Sequence, residues 1–150
     1  MDIEWARDGI TDEMFIVQAR PETVHRAERR SVIETFTIAK PPARARLVSG
    51  KAIGQKIGAG RARLLLDPRR RAEFQEGEVL VAPVTDPDWE PIMKRAAAIV
   101  TDRGGRTCHA AIVSRELGVP CLVGTERATG VIAEGETVTV SCAEGETGFV

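Results

Sequence analysis

A threonine, a cysteine and a histidine stand side by side at Thr107, Cys108 and His109, just after a Gly104-Gly105 pair. Of these side chains, imidazole has an ordinary pKa of about 6.5, so its nucleophilic neutral form is well populated near pH 7. What it can attack depends on where the chain holds it. Ala110, Val113 and Leu117 recur at helical spacing and Gly118 follows as a stop. Thr107 is suited to the N-cap, which puts His109 in the first turn. There the free backbone N–H groups and the positive end of the helix dipole attract anions. A neutral imidazole so placed can accept a phosphoryl group, and the helix end can stabilise the charge that arrives with it. On spacing alone, a surface or capping histidine beside an ordinary glycine turn explains the same residues.

The literal string is more specific. GGRTCHAAIVSR, residues 104–115, resembles the phosphohistidine signature of enzymes that make or use phosphoenolpyruvate through a swivelling domain. Every position is compatible with that pattern. The longer stretch TDPDWEPIMKRAAAIVTDRGGRTCHAAIVSRELGVPCLVG and the closing VSCAEGETGFV resemble the phosphoenolpyruvate synthase (pyruvate, water dikinase) family in particular. Related pyruvate phosphate dikinases, sugar-transport phosphotransferase enzymes and rifampicin phosphotransferases share the core with less similar flanks.

Size and composition bound the alternatives. The chain has 150 residues, 43% of them hydrophobic, enough for an ordinary domain with a real core. Its 21 basic and 22 acidic side chains leave a net charge of -1, which gives no electrostatic case for nucleic acid or an anionic membrane. No apolar run approaches spanning length, and MDIEWARDG lacks the pattern of a signal peptide. The 3 cysteines, Cys108, Cys121 and Cys142, form no CxxC pair, so a disulfide framework or zinc site is not expected and a reducing cytoplasm is. Cys121 and Cys142 lie in strand-like runs as small buried apolar residues. Cys108, at a helix start, is the thiol whose pKa could be lowered, though packing explains it equally well.

Along the chain, residues 2–7 and 14–19 alternate like two strands around a turn-rich DGITDE, with Pro21 closing the second. An isolated hairpin is marginal, so this piece reads as part of a larger sheet. Residues 22–46 read as a linker, with a charged run containing His25, a β-prone stretch at 32–38, and Lys40-Pro41-Pro42. Short strands then follow in LVSGKAIG, QKIGAG and RARLLLD, where Gly50, Gly54, Gly58 and Gly60 read as bends because no GK[ST] follows. Asp67-Pro68 and Asp86-Pro87 each open a helix, the second interrupted or delayed by Pro91. Strands are expected at 78–82, 98–101, 119–123 and 136–141, with a final edge at 148–150. Periodicity supports an α/β class.

The resemblance implies more. It implies a swivelling β/β/α phosphohistidine domain at 46–150, a linker at 22–45, and at 1–21 the C-terminal hairpin of an ATP-grasp nucleotide-binding domain. His109 would relay phosphate from ATP to pyruvate, converting ATP, pyruvate and water to AMP, phosphoenolpyruvate and phosphate in a cytoplasmic, gluconeogenic setting. Around such a carrier, Gly104 and Gly105 let the backbone approach the phosphate closely, Arg106 and Arg115 could neutralise it or form surface ion pairs, and Thr107 can cap the helix or donate to a phosphoryl oxygen; the resemblance also matches Thr107 to a regulatory phosphorylation site. Glu4, Gln18 and Arg20 would help hold Mg-ATP in the full-length enzyme. No metal site and no bound cofactor are expected for this chain alone. The implied partners are the ATP-grasp domain, the phosphoenolpyruvate/pyruvate-binding barrel and a regulatory kinase/phosphorylase. Competing readings are a non-catalytic interaction module of the same fold, the carrier of a related dikinase or antibiotic phosphotransferase, and a thiol or metal site on Cys108 and His109.

Overall fold

The computed structural model describes residues 2–20, 34–38 and 46–150. Strands β1 (Asp2–Arg7) and β2 (Met14–Arg20) form the expected antiparallel hairpin. Asp8 holds its turn, accepting from the N–H groups of Ile10 and Thr11 at 2.7 Å each. Pro21, His25 and the 40–42 prolines lie outside the described residues. The described part of the β-prone stretch, 34–38, half-buries Phe36 and Ile38 but forms no strand.

The reason lies in the sheet beside it, which has no free edge. Seven described strands close into a barrel: β3 (Ser49–Ile53), β4 (Ile57–Leu64), β5 (Val79–Ala82), β6 (Ala98–Thr101), β7 (Cys121–Val123), β8 (Thr137–Ser141) and β9 (Thr147–Phe149). Their order around the barrel is β3-β7-β6-β5-β4-β8-β9. The run from β4 through β5 and β6 to β7 is parallel, and the other pairings are antiparallel. The expected C-terminal edge at 148–150 is therefore corrected: β9 pairs with both β3 and β8 and seals the barrel.

Parallel strands need crossovers, and these carry the helices. A 3-10 turn (Pro87–Trp89) and helix α1 (Glu90–Met93) join β5 to β6, so the helix does begin after Pro87 and takes Pro91 in its first turn. Helix α2 (His109–Leu117) joins β6 to β7. Asp67-Pro68 opens a 3-10 segment (Pro68–Glu73), kinked at Arg70, in place of an α-helix. A short helix α3 (Ala128–Val131) was not legible in the sequence.

Strands β5 and β6 are buried at every position, which is why EVLVA and AIVT read as unbroken apolar runs. Val79, Val81, Ala98, Val100 and Leu122 point into the barrel with Ala62, Val138 and Val140. Their neighbours Leu80, Ile99 and Val123 point outward, against Trp89, Ile92 and Met93 and against Ala110, Ala111 and Val113 of α2. Two barrel walls and a helical layer thus enclose two cores, the β/β/α layering expected. Gly58 and Gly60 are not bends as expected: they lie inside β4, where the backbone at the starts of β6 and β5 leaves no room for a side chain.

One partly buried charge network ties β4 to the start of β5. Arg63 grips Glu78 through Nε and Nη2 at 3.0 and 2.7 Å and reaches Glu134 at 2.6 Å, while Glu78 also accepts from the Gln75 N–H at 2.8 Å. The Arg63 hydrogen bonds hold the Glu78 carboxyl below its ordinary pKa. Glu78→Gln keeps the shape and leaves Arg63 half-paired. We expect a loss of about 1–2 kcal/mol, the scale of charge-assisted hydrogen bonds discounted for the partial exposure of Arg63 and for Glu134 remaining. Urea unfolding would read it, and a loss under about 0.5 kcal/mol would show that the network is only surface decoration.

Candidate functional site

The loops after parallel strands β5 and β6 emerge at the same end of the barrel, the end where open α/β sheets place their ligand sites. The 83–86 loop carries Thr85, and the 102–108 loop carries the Gly-Gly pair and delivers the chain into α2. Two backbone bonds zip the loops together: Asp102 N–H to Ala82 O at 3.2 Å and Arg103 N–H to Pro83 O at 2.9 Å. Beyond Asp102, the Asp102 carboxylate accepts from the Thr129 N–H at 3.0 Å and from the Thr129 hydroxyl, tying the loop base to α3.

Helix α2 begins one residue later than expected. Cys108, not Thr107, is the N-cap, with extended backbone (φ -72°, ψ 165°) and no side-chain cap bond, and His109 is the first helical residue. Sulfur is a weak acceptor, so the cap residue leaves the first N–H groups of the helix available. Cys108 is half-buried and packs against the outer core, while Gly104 holds φ +128° with its missing Cβ 2.8 Å from Cys108 Sγ. A side chain at 104 would displace the cap. Thr107 and Arg106 are exposed on the turn between them, and Gly105 O accepts from the Cys108 N–H at 3.1 Å. Gly118 ends the helix in the left-handed region (φ 68°) as expected.

His109 is half-buried, and its Nδ1 lies 3.2 Å from the hydroxyl of Thr85, itself buried. Thr85 is a site residue that sequence reasoning missed. The available signal was the parallel pairing of 78–82 with 98–101, which obliges the two following loops to meet. Burial lowers the His109 pKa, opposed by the fields of Asp86, Glu90 and Glu116. The neutral imidazole is therefore favoured at pH 7, with one nitrogen facing Thr85 and Nε2 left as the second.

The arginines turn elsewhere. Arg115 donates to Arg106 O at 2.8 Å, bracing the loop, and Arg106 sits 3.3 Å from Glu146. Both line a cleft of about 540 Å³ between the 143–146 turn and residues 34–36. Cys121 and Cys142 are fully buried and burial pushes both thiols up, consistent with packing residues. Among the described residues no group of three or more His, Cys, Asp or Glu could hold a metal ion. No helix there is long and apolar enough to cross a membrane.

The structure does not bring Glu4 or Gln18 to His109. They face each other across the hairpin in register, and the Arg20 backbone lies further along β2, its side chain outside the described residues. The hairpin exposes Trp5 (62%), Phe15 (52%) and Ile16 (70%), a large apolar load for a two-stranded sheet.

Residues 74–145 match the family described as PEP-utilising enzyme, mobile domain, and residues 1–39 match the pyruvate phosphate dikinase AMP/ATP-binding domain. Over its whole length the chain is 59% identical to a phosphoenolpyruvate synthase of Aquifex aeolicus, covering 18% of that protein. It is 55% identical to those of Pseudomonas aeruginosa and Escherichia coli, again over the whole chain, covering 19% and 18% of them. The chain thus spans under a fifth of the length of these curated relatives.

Proposed function

The chain belongs to the PEP-utilising enzymes, whose mobile domain it carries at residues 74–145, and from that premise we propose that His109 is a phosphoryl carrier. The observation that carries the reading is the Thr85 hydroxyl 3.2 Å from His109 Nδ1, at the start of a helix. With Nδ1–H donating to Thr85, the Nε2 lone pair points out as the nucleophile. Nε2 forms a bond to phosphorus as the donor's P–O bond breaks, and the leaving oxygen keeps the electron pair. The first N–H groups of α2 and the Gly104-Gly105 backbone receive the phosphoryl oxygens. In the second step the acceptor oxygen attacks phosphorus and the imidazole leaves neutral.

The parent reaction we assign is that of phosphoenolpyruvate synthase: ATP, pyruvate and water to AMP, phosphoenolpyruvate and phosphate. Residues 1–21 serve as the last hairpin of the ATP domain, 22–45 as the linker and 46–150 as the carrier, working in the cytoplasm. Glu4 and Gln18, neighbours on one hairpin face, suit Mg²⁺ and nucleotide, with Arg20 for phosphate, once the rest of that domain covers the exposed Trp5 and Phe15. Mg²⁺ would supply charge neutralisation at the phosphates. Thr107, exposed two residues before His109, suits regulatory phosphorylation, since a phosphate there would repel a second. The pyruvate-binding barrel and a regulatory kinase/phosphorylase complete the proposed partners.

The test is phosphoryl transfer onto this chain from the separately expressed nucleotide domain with Mg²⁺ and β-labelled ATP. One acid-labile phosphate per chain is expected by intact mass. Failure both here and in the undivided parent enzyme would overturn the reading and leave a non-catalytic interaction module.

Thr85 offers a finer check. Thr85→Val should slow phosphorylation of His109 about three- to tenfold, the rate equivalent of one ordinary hydrogen bond, with Thr85→Ser restoring it. The ¹⁵N shifts of the imidazole should show the tautomer redistributing, which a merely structural threonine would not cause. The pH profile follows from the lowered His109 pKa. Transfer needs the neutral ring, so its rate should stay flat from pH 8 down past 6.5, and fall only below the ordinary histidine value of about 6.5. A half-maximum above pH 6.5 would contradict it.

A further inference from the structure

The chain that enters α2 is stapled to the chain that leaves it. Behind the His109 loop, the segment after β7 folds back onto the end of β6. The Thr125 N–H donates to Thr101 O at 3.1 Å and the Glu126 N–H to Asp102 O at 2.9 Å. The Asp102 side chain closes the same junction: one carboxylate oxygen accepts from the Thr129 N–H at 3.0 Å and the other from the Thr129 hydroxyl. The buried Thr125 hydroxyl is shared between Thr101 O at 3.0 Å and an Asp102 oxygen at 3.4 Å. Asp102 and Thr129 are 27 positions apart, and the span between them holds the glycine pair, His109, all of α2 and β7. Past Arg103, whose N–H is held by Pro83 O, such restraint ends. Among the described residues, the N–H groups of Gly104, Gly105, Arg106 and Thr107 donate to no backbone carbonyl. Gly104 O lies against the 124 backbone, where a Cβ on Gly124 would stand 2.9 Å from it. In a trans peptide the next N–H points the opposite way, so that of Gly105 faces away from residue 124.

A loop that offers donors but makes few internal bonds keeps its aim only as well as its base is fixed. We propose that Asp102 is a positioning residue for phosphoryl transfer, holding the base of the 102–108 loop so that the Gly104–Thr107 N–H groups meet the phosphoryl oxygens already aligned beside His109 Nε2. This rests on the carrier reading above. Donors fixed in advance lower the barrier because they need not reorient as charge arrives. A misplacement of about 1 Å costs about 100-fold in rate. Asp102 acts through Thr125 and Thr129, so its role needs hydrogen-bonding geometry and not a negative charge. A carboxamide meets that need: its oxygen accepts from the Thr129 N–H, and its –NH₂ donates to the Thr129 hydroxyl.

The test uses this chain with phosphoimidazole as donor, at a temperature where the variants are folded. The P–N bond of the protonated donor breaks, neutral imidazole leaves, and phosphorus bonds to His109 Nε2 while Nδ1 keeps its proton. Asp102→Ala should slow phosphorylation about ten- to hundredfold. The ³¹P resonance of its phosphohistidine should move from the parent's position towards that of free phosphohistidine. Asp102→Asn should stay within about threefold of the parent rate. If Asp102→Ala does not fold, Thr129→Val takes its place: it removes the hydroxyl contact alone and should slow transfer about three- to tenfold. Glu78→Gln controls for lost stability, because it weakens the barrel before β5, at the end away from the His109 loop, and should keep the parent's rate and resonance. A parent-like rate or an unshifted resonance in the folded test variant overturns the inference while leaving the carrier reading intact. So does an Asp102→Asn as slow as Asp102→Ala, or an equal loss in Glu78→Gln. A parent chain that neither phosphoimidazole nor the ATP-charged nucleotide domain phosphorylates overturns both.

Discussion

His109→Ala is expected to bring phosphoryl transfer through this chain down by about a thousandfold or more, to background. The size follows from chemistry. Thr107 and Cys108 stand next to His109, but Thr107 is on the exposed turn and Cys108 is turned into the packing beneath Gly104. Neither side chain presents a neutral nitrogen to the helix start. A serine or threonine ester of phosphate would also be acid-stable, so residual label can be distinguished from phosphohistidine by its survival in acid. The fold should hardly notice, because His109 is half-buried, caps nothing, and begins a helix whose packing face is Ala110, Ala111 and Val113. Alanine is the best helix former, so α2 should persist. The informative result is therefore a melting curve close to the parent's together with lost transfer. Retained acid-labile phosphate in His109→Ala would move the carrier role to another residue and remove the basis of the site.

Much of this site could be read without coordinates, for a physical reason. The elements that matter here are local: a helix with a glycine stop, a glycine pair before it, and continuous apolar strands on both sides. Local signals fix the helix to within one residue, and the error, Thr107 for Cys108 as cap, arose because threonine caps far better than cysteine. The chain instead packs Cys108 against Gly104 and lets burial choose the start of the helix. What could not be read was non-local. Thr85 lies 24 positions from His109 and meets it only because β5 and β6 run parallel. The outward turn of Arg106 to Glu146 likewise depends on β9 closing the barrel, which no periodicity announces.

Gly58→Ala tests the least legible part of the fold and should show the largest effect on stability. Read as a bend, Gly58 would tolerate alanine. In the barrel it lies inside β4 opposite Val140, and a Cβ there would stand 2.2 Å from the Ala97 carbonyl oxygen and 3.0 Å from Ala98 Cβ. Gly60 repeats the constraint, with the Gly77 oxygen 2.3 Å away. These contacts are backbone or a fixed methyl, so no flexible side chain can move aside. The barrel must open where β4 approaches the start of β6, and β6 carries the chain directly to Thr101 and the His109 loop. We expect a loss of about 4 kcal/mol or more, a large part of a typical domain's 5–15 kcal/mol, seen as a melting drop of about 12–20 °C or as failure to fold. Gly130→Ala supplies the opposite sign: it sits in α3 with nothing within 4 Å of its added Cβ, and should gain about 0.5–1 kcal/mol. Equal melting of the two variants would mean that β4 does not press against the 97–98 backbone. The closed barrel, and with it the meeting of the β5 and β6 loops around His109, would then have to be redrawn.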